Sequence, residues 1–125
     1  MARHLSDENC RRPLENIPIG LYSTSPNGEI LAANTALAEI LGYPNRESLM
    51  AANAADLYVN QEDYHKEHDL LDKEGVVRGF EMQLRRADGQ VIWVRDTFRA
   101  IKDADGNILF FEGNLEDITA QTTQR

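Results

Sequence analysis

Three dipeptides constrain this chain most: Asn-Gly in "SPNGE" (25–29), and Asp-Gly in "RADGQ" (86–90) and "DADGN" (103–107). Such pairs accept the positive φ angles of tight turns at little steric cost, so each reads as a hairpin between strands. Strand-like runs surround them. "GLYST" and "EILAA" flank the first turn, "GFEMQLRR" and "VIWVRDTFRAI" the second, and "ILFFEGNLEDI" follows the third. In "GFEMQLRR", Phe80, Met82 and Leu84 alternate with Glu81, Gln83 and Arg85, the period of a half-buried strand. Five strands result, and hairpins join every consecutive pair except one.

That one gap, residues 34 to 76, has a helical pattern. Asn34 precedes "TALAEILGY" and suits a helix cap, its side-chain oxygen accepting a backbone N–H. Leu37, Ile40 and Leu41 fall at i, i+3, i+4 on one apolar stripe, and Gly42 and Pro44 end it. "NRESLMAANAADLY" predicts one or two short helices, and "QEDYHKEHDLLDKEG" a longer one closed by Gly75. Near the N-terminus, Pro13 suits the first turn of a short helix "PLENI", which Pro18 stops. Two strands, a helical insert and three strands make an α+β domain, an antiparallel sheet with helices packed on one face.

With 125 residues the chain has room for one domain and one core. A net charge of −8 argues against a nucleic-acid partner, which needs clustered Lys and Arg. The single cysteine, Cys10, excludes an internal disulfide and fits a cytoplasmic setting. No apolar run approaches the ~18–20 residues of a membrane span, so no membrane contact is expected of this domain, whatever anchors its parent. The polar tail "ITAQTTQR" reads as the stub of a linker.

Four segments, in order, resemble a PAS domain: "ENIPIGLYSTSPNGEILAANTALAEILGY", "DLYV", "FEMQLRRADGQVIWV" and "FFEGNLEDIT". The closing "DIT" is similar to the Asp-Ile-Thr signalling motif that ends many PAS cores. The resemblance spans residues 14–119, leaving 1–13 as an N-terminal cap or linker and 120–125 as the start of a linker to an output domain. It implies a five-stranded antiparallel sheet in the order 2-1-5-4-3. It also implies a sensory, signal-transduction module, without catalysis of its own, that serves an output domain such as a histidine kinase of a two-component system or a diguanylate cyclase. The module would bind a small ligand or a partner and form a homodimer. A ligand-free dimerisation or protein-interaction module is the alternative.

The candidate pocket lies between the concave sheet face and the helical insert, with Leu37, Ile40, Leu41, Tyr64, His68 and Leu71 from the helices and Phe80, Met82 and Phe98 from the strands. The same stripes serve equally as a filled core. Tyr64, His68 and Leu71 share a helix face, whereas His65, Asp69 and Asp72 lie on another. Two histidines three apart diverge too far for a zinc pair, so no metal is expected. In some PAS oxygen sensors a histidine on this long helix, in a context like "EHD", holds haem. His68 matches that place, but Phe80 stands near the position of their distal arginine, which argues against oxygen sensing. Haem at His68 therefore remains the lesser alternative.

"ENCRRP" is only superficially similar to the flavin-binding cysteine motif of LOV domains. Cys10 precedes the first strand, and the insert has no cysteine, so flavin is not expected. Asp103, Asp105, Gly106 and Glu112 imitate an EF-hand loop, but Ile101 takes its first ligand position and strands flank it, so a hairpin explains it better. No nucleophile, phosphate-loop or metalloprotease motif is present. Carboxylates are plentiful, and the acidic surface accounts for them without singling out a pair. Asp117, Ile118 and Thr119 are the expected signal relay: Thr119 suits a cap for a helix from Ala120, and Asp117 either pairs with Arg95 or holds the turn. Trp93, opposite in phase to Val94 and Phe98, is expected on the far sheet face.

Overall fold

The computed structural model describes residues 19–123. Cys10, the expected "PLENI" helix and the N-terminal cap lie outside them. Five strands appear: β1 (Ile19–Thr24), β2 (Ile30–Ala33), β3 (Val76–Arg85), β4 (Val91–Lys102) and β5 (Ile108–Asp117). They form one antiparallel sheet in the order β2-β1-β5-β4-β3. Between β2 and β3 come α1 (Thr35–Ile40), α2 (Arg46–Met50), a 3-10 turn (Ala54–Leu57) and α3 (Gln61–Glu74). A short α4 (Thr119–Thr123) follows β5.

The three hairpins form where the dipeptides place them, with Gly28, Gly89 and Gly106 all at positive φ. Side chains stabilise these turns. Ser25 Oγ accepts from the Glu29 N–H at 3.0 Å, and Asp88 Oδ1 from the Gln90 N–H at 3.0 Å. Asp103 Oδ1 accepts from both Asp105 and Asn107, each at 2.9 Å. Of the acidic residues that imitate a calcium loop, Asp103 is thus occupied by the turn's own backbone and Glu112 by Arg99.

Every element of the insert starts on an asparagine. Asn34, Asn45, Asn53 and Asn60 each accept a backbone N–H from the turn that follows. Asn34 does more than cap α1. Its Oδ1 also accepts from the Leu21 N–H, and its Nδ2 donates to the Ile19 carbonyl, tying α1 to β1. α3 ends at Gly75, at φ 77°, a left-handed conformation that costs glycine little.

β3 begins earlier than its sequence pattern suggests, at Val76. Its register against β4 shifts between Val77 and Phe80, where Gly79 takes φ 64° and donates to Thr97 Oγ1 at 2.9 Å. The bulge lets Val77 and the alternating Met82 and Leu84 all reach the core.

The core has two parts. The larger gathers α1, Leu49 of α2, and the inner faces of the sheet around Met82, Leu84, Ile92, Val94 and Leu115. The smaller joins Leu71 of α3 to Val77, Phe98 and Phe111. Phe80 and Tyr22 pack against both.

Candidate functional site

A cavity of about 90 Å³ opens between the inner sheet face and the helices. Of the residues expected there, Leu37, Leu41, Tyr64, His68, Met82 and Phe98 line it. Ile40, Leu71 and Phe80 do not. Ile40 is consumed by the larger core cluster, and Leu71, nearly a turn beyond His68, by the smaller one. Phe80 sits next to the β3 bulge and packs between the clusters. The β1–β2 turn contributes Ser25, Pro26 and Gly28 to the lining.

The sequence reading missed the polar end of the cavity. Asp96 lines it although it is only 3% exposed, and Glu67 of α3 is wholly buried. Two tyrosines serve this pair: Tyr22 from β1 donates its hydroxyl to Asp96 Oδ1, and Tyr58, just past the 3-10 turn, donates to Glu67 Oε1. Both tyrosines also line the cavity. The acidic residues are therefore not all surface solvation, and the structure does single out one pair.

The protonation of that pair follows from burial. Glu67 Oε2 is buried without a donor directed at it. An ionised carboxylate would leave that oxygen desolvated at high cost, whereas a protonated one donates it to Asp96. Burial first, then the neighbouring Asp96 charge, pushes the Glu67 carboxyl up to about 10. Burial also raises Asp96, while hydrogen bonds from Glu67 and Tyr22 pull it back toward the anion. Both tyrosines are raised, by burial and by the acidic neighbours Asp96 and Glu67. Burial thus holds both carboxyls above their ordinary values, and the hydrogen bonds to Asp96 favour its anion over that of Glu67.

Aromatic rings make up much of the remaining wall, beside Leu37, Leu41 and Met82. His68 lies 4.3 Å from the Tyr64 ring and meets Phe111 edge-on at 5.7 Å. Phe111 in turn meets Phe98 edge-on at 5.9 Å, and Tyr58 meets Tyr64 at 5.4 Å. Burial lowers the His68 imidazolium, so the ring is neutral at pH 7. His65 is exposed, as its helix phase predicts. A cavity of about 90 Å³ is well below the ~300–1,000 Å³ usual for drug-sized ligands and cofactors, so the side chains as placed do not fit a haem beside His68. Among the described residues no group of three or more His, Cys, Asp or Glu is arranged to hold a metal ion.

Gly113 of β5 lies between Tyr22 of β1 and Phe98 of β4 in the sheet register, next to two residues that line the cavity. A Cβ there would come within 2.3 Å of the Thr97 carbonyl oxygen and 2.5 Å of Phe98 Cβ.

At the far end of β5, Asp117 Oδ1 accepts from the Thr119 N–H at 2.9 Å and from the Thr119 hydroxyl at 2.7 Å. Thr119 Oγ1 accepts in turn from the Trp93 N–H at 3.1 Å, and the Ile118 N–H donates to the Trp93 carbonyl at 2.9 Å. The hydroxyl of Thr119 therefore clasps β4 and does not cap a helix from Ala120. Arg95 is engaged elsewhere, with Glu81 at 3.1 Å and Glu116 at 3.2 Å, so Asp117 holds the turn.

Comparison with known proteins agrees with this architecture. The chain is 28% identical over 122 residues to the "Probable diguanylate cyclase DgcE" of Escherichia coli K12, covering 93% of this chain and 11% of that protein's length. Its fold is similar to that of a PAS domain from Colwellia psychrerythraea, at a TM-score of 0.73 and 19% identity, over 90% of this chain and 97% of that one. It is also similar to a PAS domain from a two-component sensor histidine kinase, at a TM-score of 0.65 and 17% identity, over 92% and 98% of the two chains. Residues 18–120 match the family described as PAS domain, and the chain belongs to that family.

Proposed function

We propose that this domain senses a small molecule in the cavity between α3 and the sheet and relays its presence to an output domain through the β5–α4 junction. The observation that carries the reading is the cavity itself: apolar walls and one polar end, where a carboxyl pair and two tyrosines converge. A packed core has no use for such a buried network, since apolar residues of similar volume fold as well or better. The relation to a diguanylate cyclase, and the fold shared with a histidine kinase domain, support a signalling role with enzymatic output elsewhere. Ligand binding would shift the balance between two arrangements of sheet and exit helix. Among the described residues no helix is long and apolar enough to cross a membrane.

The first test is a native mass spectrum of the purified protein. We expect added mass from a molecule of a few heavy atoms, and a haem-sized increment would instead make His68 an axial ligand. The bare sequence mass, unchanged after incubation with small metabolites, would count against a sensory cavity.

The relay is tested at Asp117. Asp117→Ala removes the acceptor for two Thr119 hydrogen bonds and is expected to speed amide exchange across residues 120–123 while β4 and β5 stay protected. Unchanged exchange in α4 would remove Asp117 from the relay.

A second reading is a homodimerisation module, and the outer sheet face favours it. Leu21 there is 55% exposed beside Asn114, flanked by the Arg99–Glu112 ion pair. The two readings are compatible, because the outer face and the cavity use opposite sides of the sheet.

A further inference from the structure

The cavity presents an unusual combination of charge and wall. Its polar end brings together two buried carboxyls, Asp96 on the lining and Glu67 behind it, and the nearest side chains that serve them are the hydroxyl donors Tyr22 and Tyr58. Among the described residues, the Arg–carboxylate ion pairs form elsewhere, at Asp88, Glu81, Glu116 and Glu112. His68, which also lines the cavity, is held toward its neutral form by burial. Burial disfavours the anion of Asp96 for lack of a counter-cation, and the cavity beside it is large enough to admit a cation that would restore it.

The walls match a cation as well. Tyr22, Tyr58, Tyr64, His68, Phe98 and Phe111 all line the space. Aromatic faces attract an organic cation through their quadrupole, more strongly when the contact is desolvated. An acidic side chain at one end and aromatic and aliphatic side chains around the remainder suit an ammonium head on a short apolar stem. The same arrangement disfavours a carboxylate ligand, because another acidic group would sit against Asp96.

We propose that the ligand class of this cavity is a small primary alkylammonium ion, with its head on Asp96 and the Tyr22 hydroxyl oxygen and its stem against Phe98, Phe111 and Met82. The proposal rests on the reading of the cavity as a sensory site and adds the charge of the ligand. Size sets the stem. A cavity of about 90 Å³ is smaller than the ~150 Å³ that holds benzene, so four or five heavy atoms is the limit.

The test compares three probes of one length: n-butylammonium, 1-butanol and butyrate, titrated into the protein at pH 7 and followed by amide chemical shifts. Butylammonium is expected to bind about tenfold or more tightly than 1-butanol, with butyrate weakest. In Asp96→Asn, which keeps shape and polarity but removes the charge, the preference for the amine over the alcohol is expected to fall to within about twofold. Glu67→Gln still donates to Asp96 and should retain the preference. If Asp96→Asn does not fold, the wild-type comparison decides alone. Equal or tighter binding of 1-butanol or butyrate would overturn the charge assignment and leave the cavity as a ligand site. No shift with any probe would overturn both.

Discussion

Glu67→Ala is expected to destabilise the domain by about 3–5 kcal/mol in urea or thermal unfolding, the cost of breaking one side of a buried polar pair. The loss has three parts. Asp96 loses the donor that best stabilises its charge, Tyr58 loses its acceptor, and the core gains an empty space where a fully buried side chain stood. Glu67→Gln keeps the shape, donates its amide to Asp96 and still accepts from Tyr58, so it should cost less than about 1.5 kcal/mol. Equal losses in the two variants would show that volume, not hydrogen bonding, sets the energetics.

The same pair gives stability a pH dependence. Glu67 in the fold is raised to about 10 from the ordinary 4.5, so between these values the folded state binds a proton that the unfolded state does not. Its contribution is complete below pH 4.5 and is lost as pH rises through 10. Asp96 is raised too, so its contribution has the same sign. His68, whose shift is downward from 6.5, opposes this slope slightly near pH 7, where its unfolded form still binds some proton, and adds little by pH 8 and above. Between pH 7 and 9 stability should fall by up to about 1.4 kcal/mol per pH unit. Glu67→Gln should flatten the slope. A wild-type profile as flat as that of the variant would mean that both carboxyls are ionised in the native state.

The second large effect is expected at Gly113. Gly113→Ala places a methyl 2.3 Å from the Thr97 carbonyl oxygen and 2.8 Å from Phe98 Cα, both on the backbone of β4. Neither atom can rotate away, so β5 and β4 must separate locally or the sheet must deform. Overpacking of this kind costs ~1–3 kcal/mol and more when backbone has to move, and we expect at least 3. Gly75→Ala is the control. It meets nothing within 4 Å and carries only the strain of φ 77°, about 1 kcal/mol. A melting temperature for Gly113→Ala no lower than that of Gly75→Ala would show that the β4–β5 spacing is soft.

Much of the fold is legible along the chain because its signals are local. The Asn-Gly and Asp-Gly turns, the Asn34 cap and the Gly75 stop each act within four residues of themselves. The strand order came from the PAS resemblance, since hairpin turns leave the pairing of β1 with β5 open. The candidate site was legible only in its apolar half. Asp96 lies in the period-two series with Val94 and Phe98, and Glu67 lies three residues after Tyr64 and four before Leu71. Phase alone put both inside. In an acidic chain, however, a carboxylate reads as solvated until a partner is known, and these two partners are separated by a helix and a strand. The three pocket candidates that missed, Ile40, Leu71 and Phe80, have the correct phase, but position along the axis of the element, which periodicity does not report, places them beyond the cavity.

One strand connects the two ends of the mechanism. Asp96 and Trp93 are three residues apart on β4, about 10 Å at the rise of an extended chain. Asp96 faces the cavity, and the backbone of Trp93 holds both Ile118 and Thr119. A rod fixed at one point and pulled at another transmits displacement without needing a chain of side-chain contacts between them. If a molecule in the cavity draws Asp96 inward by a few tenths of an ångström, the same stretch of backbone moves the clasp on the exit helix. The module then behaves as a lever whose short arm is the cavity and whose fulcrum is the β4–β5 ladder, and a stiff ladder is what such a device requires.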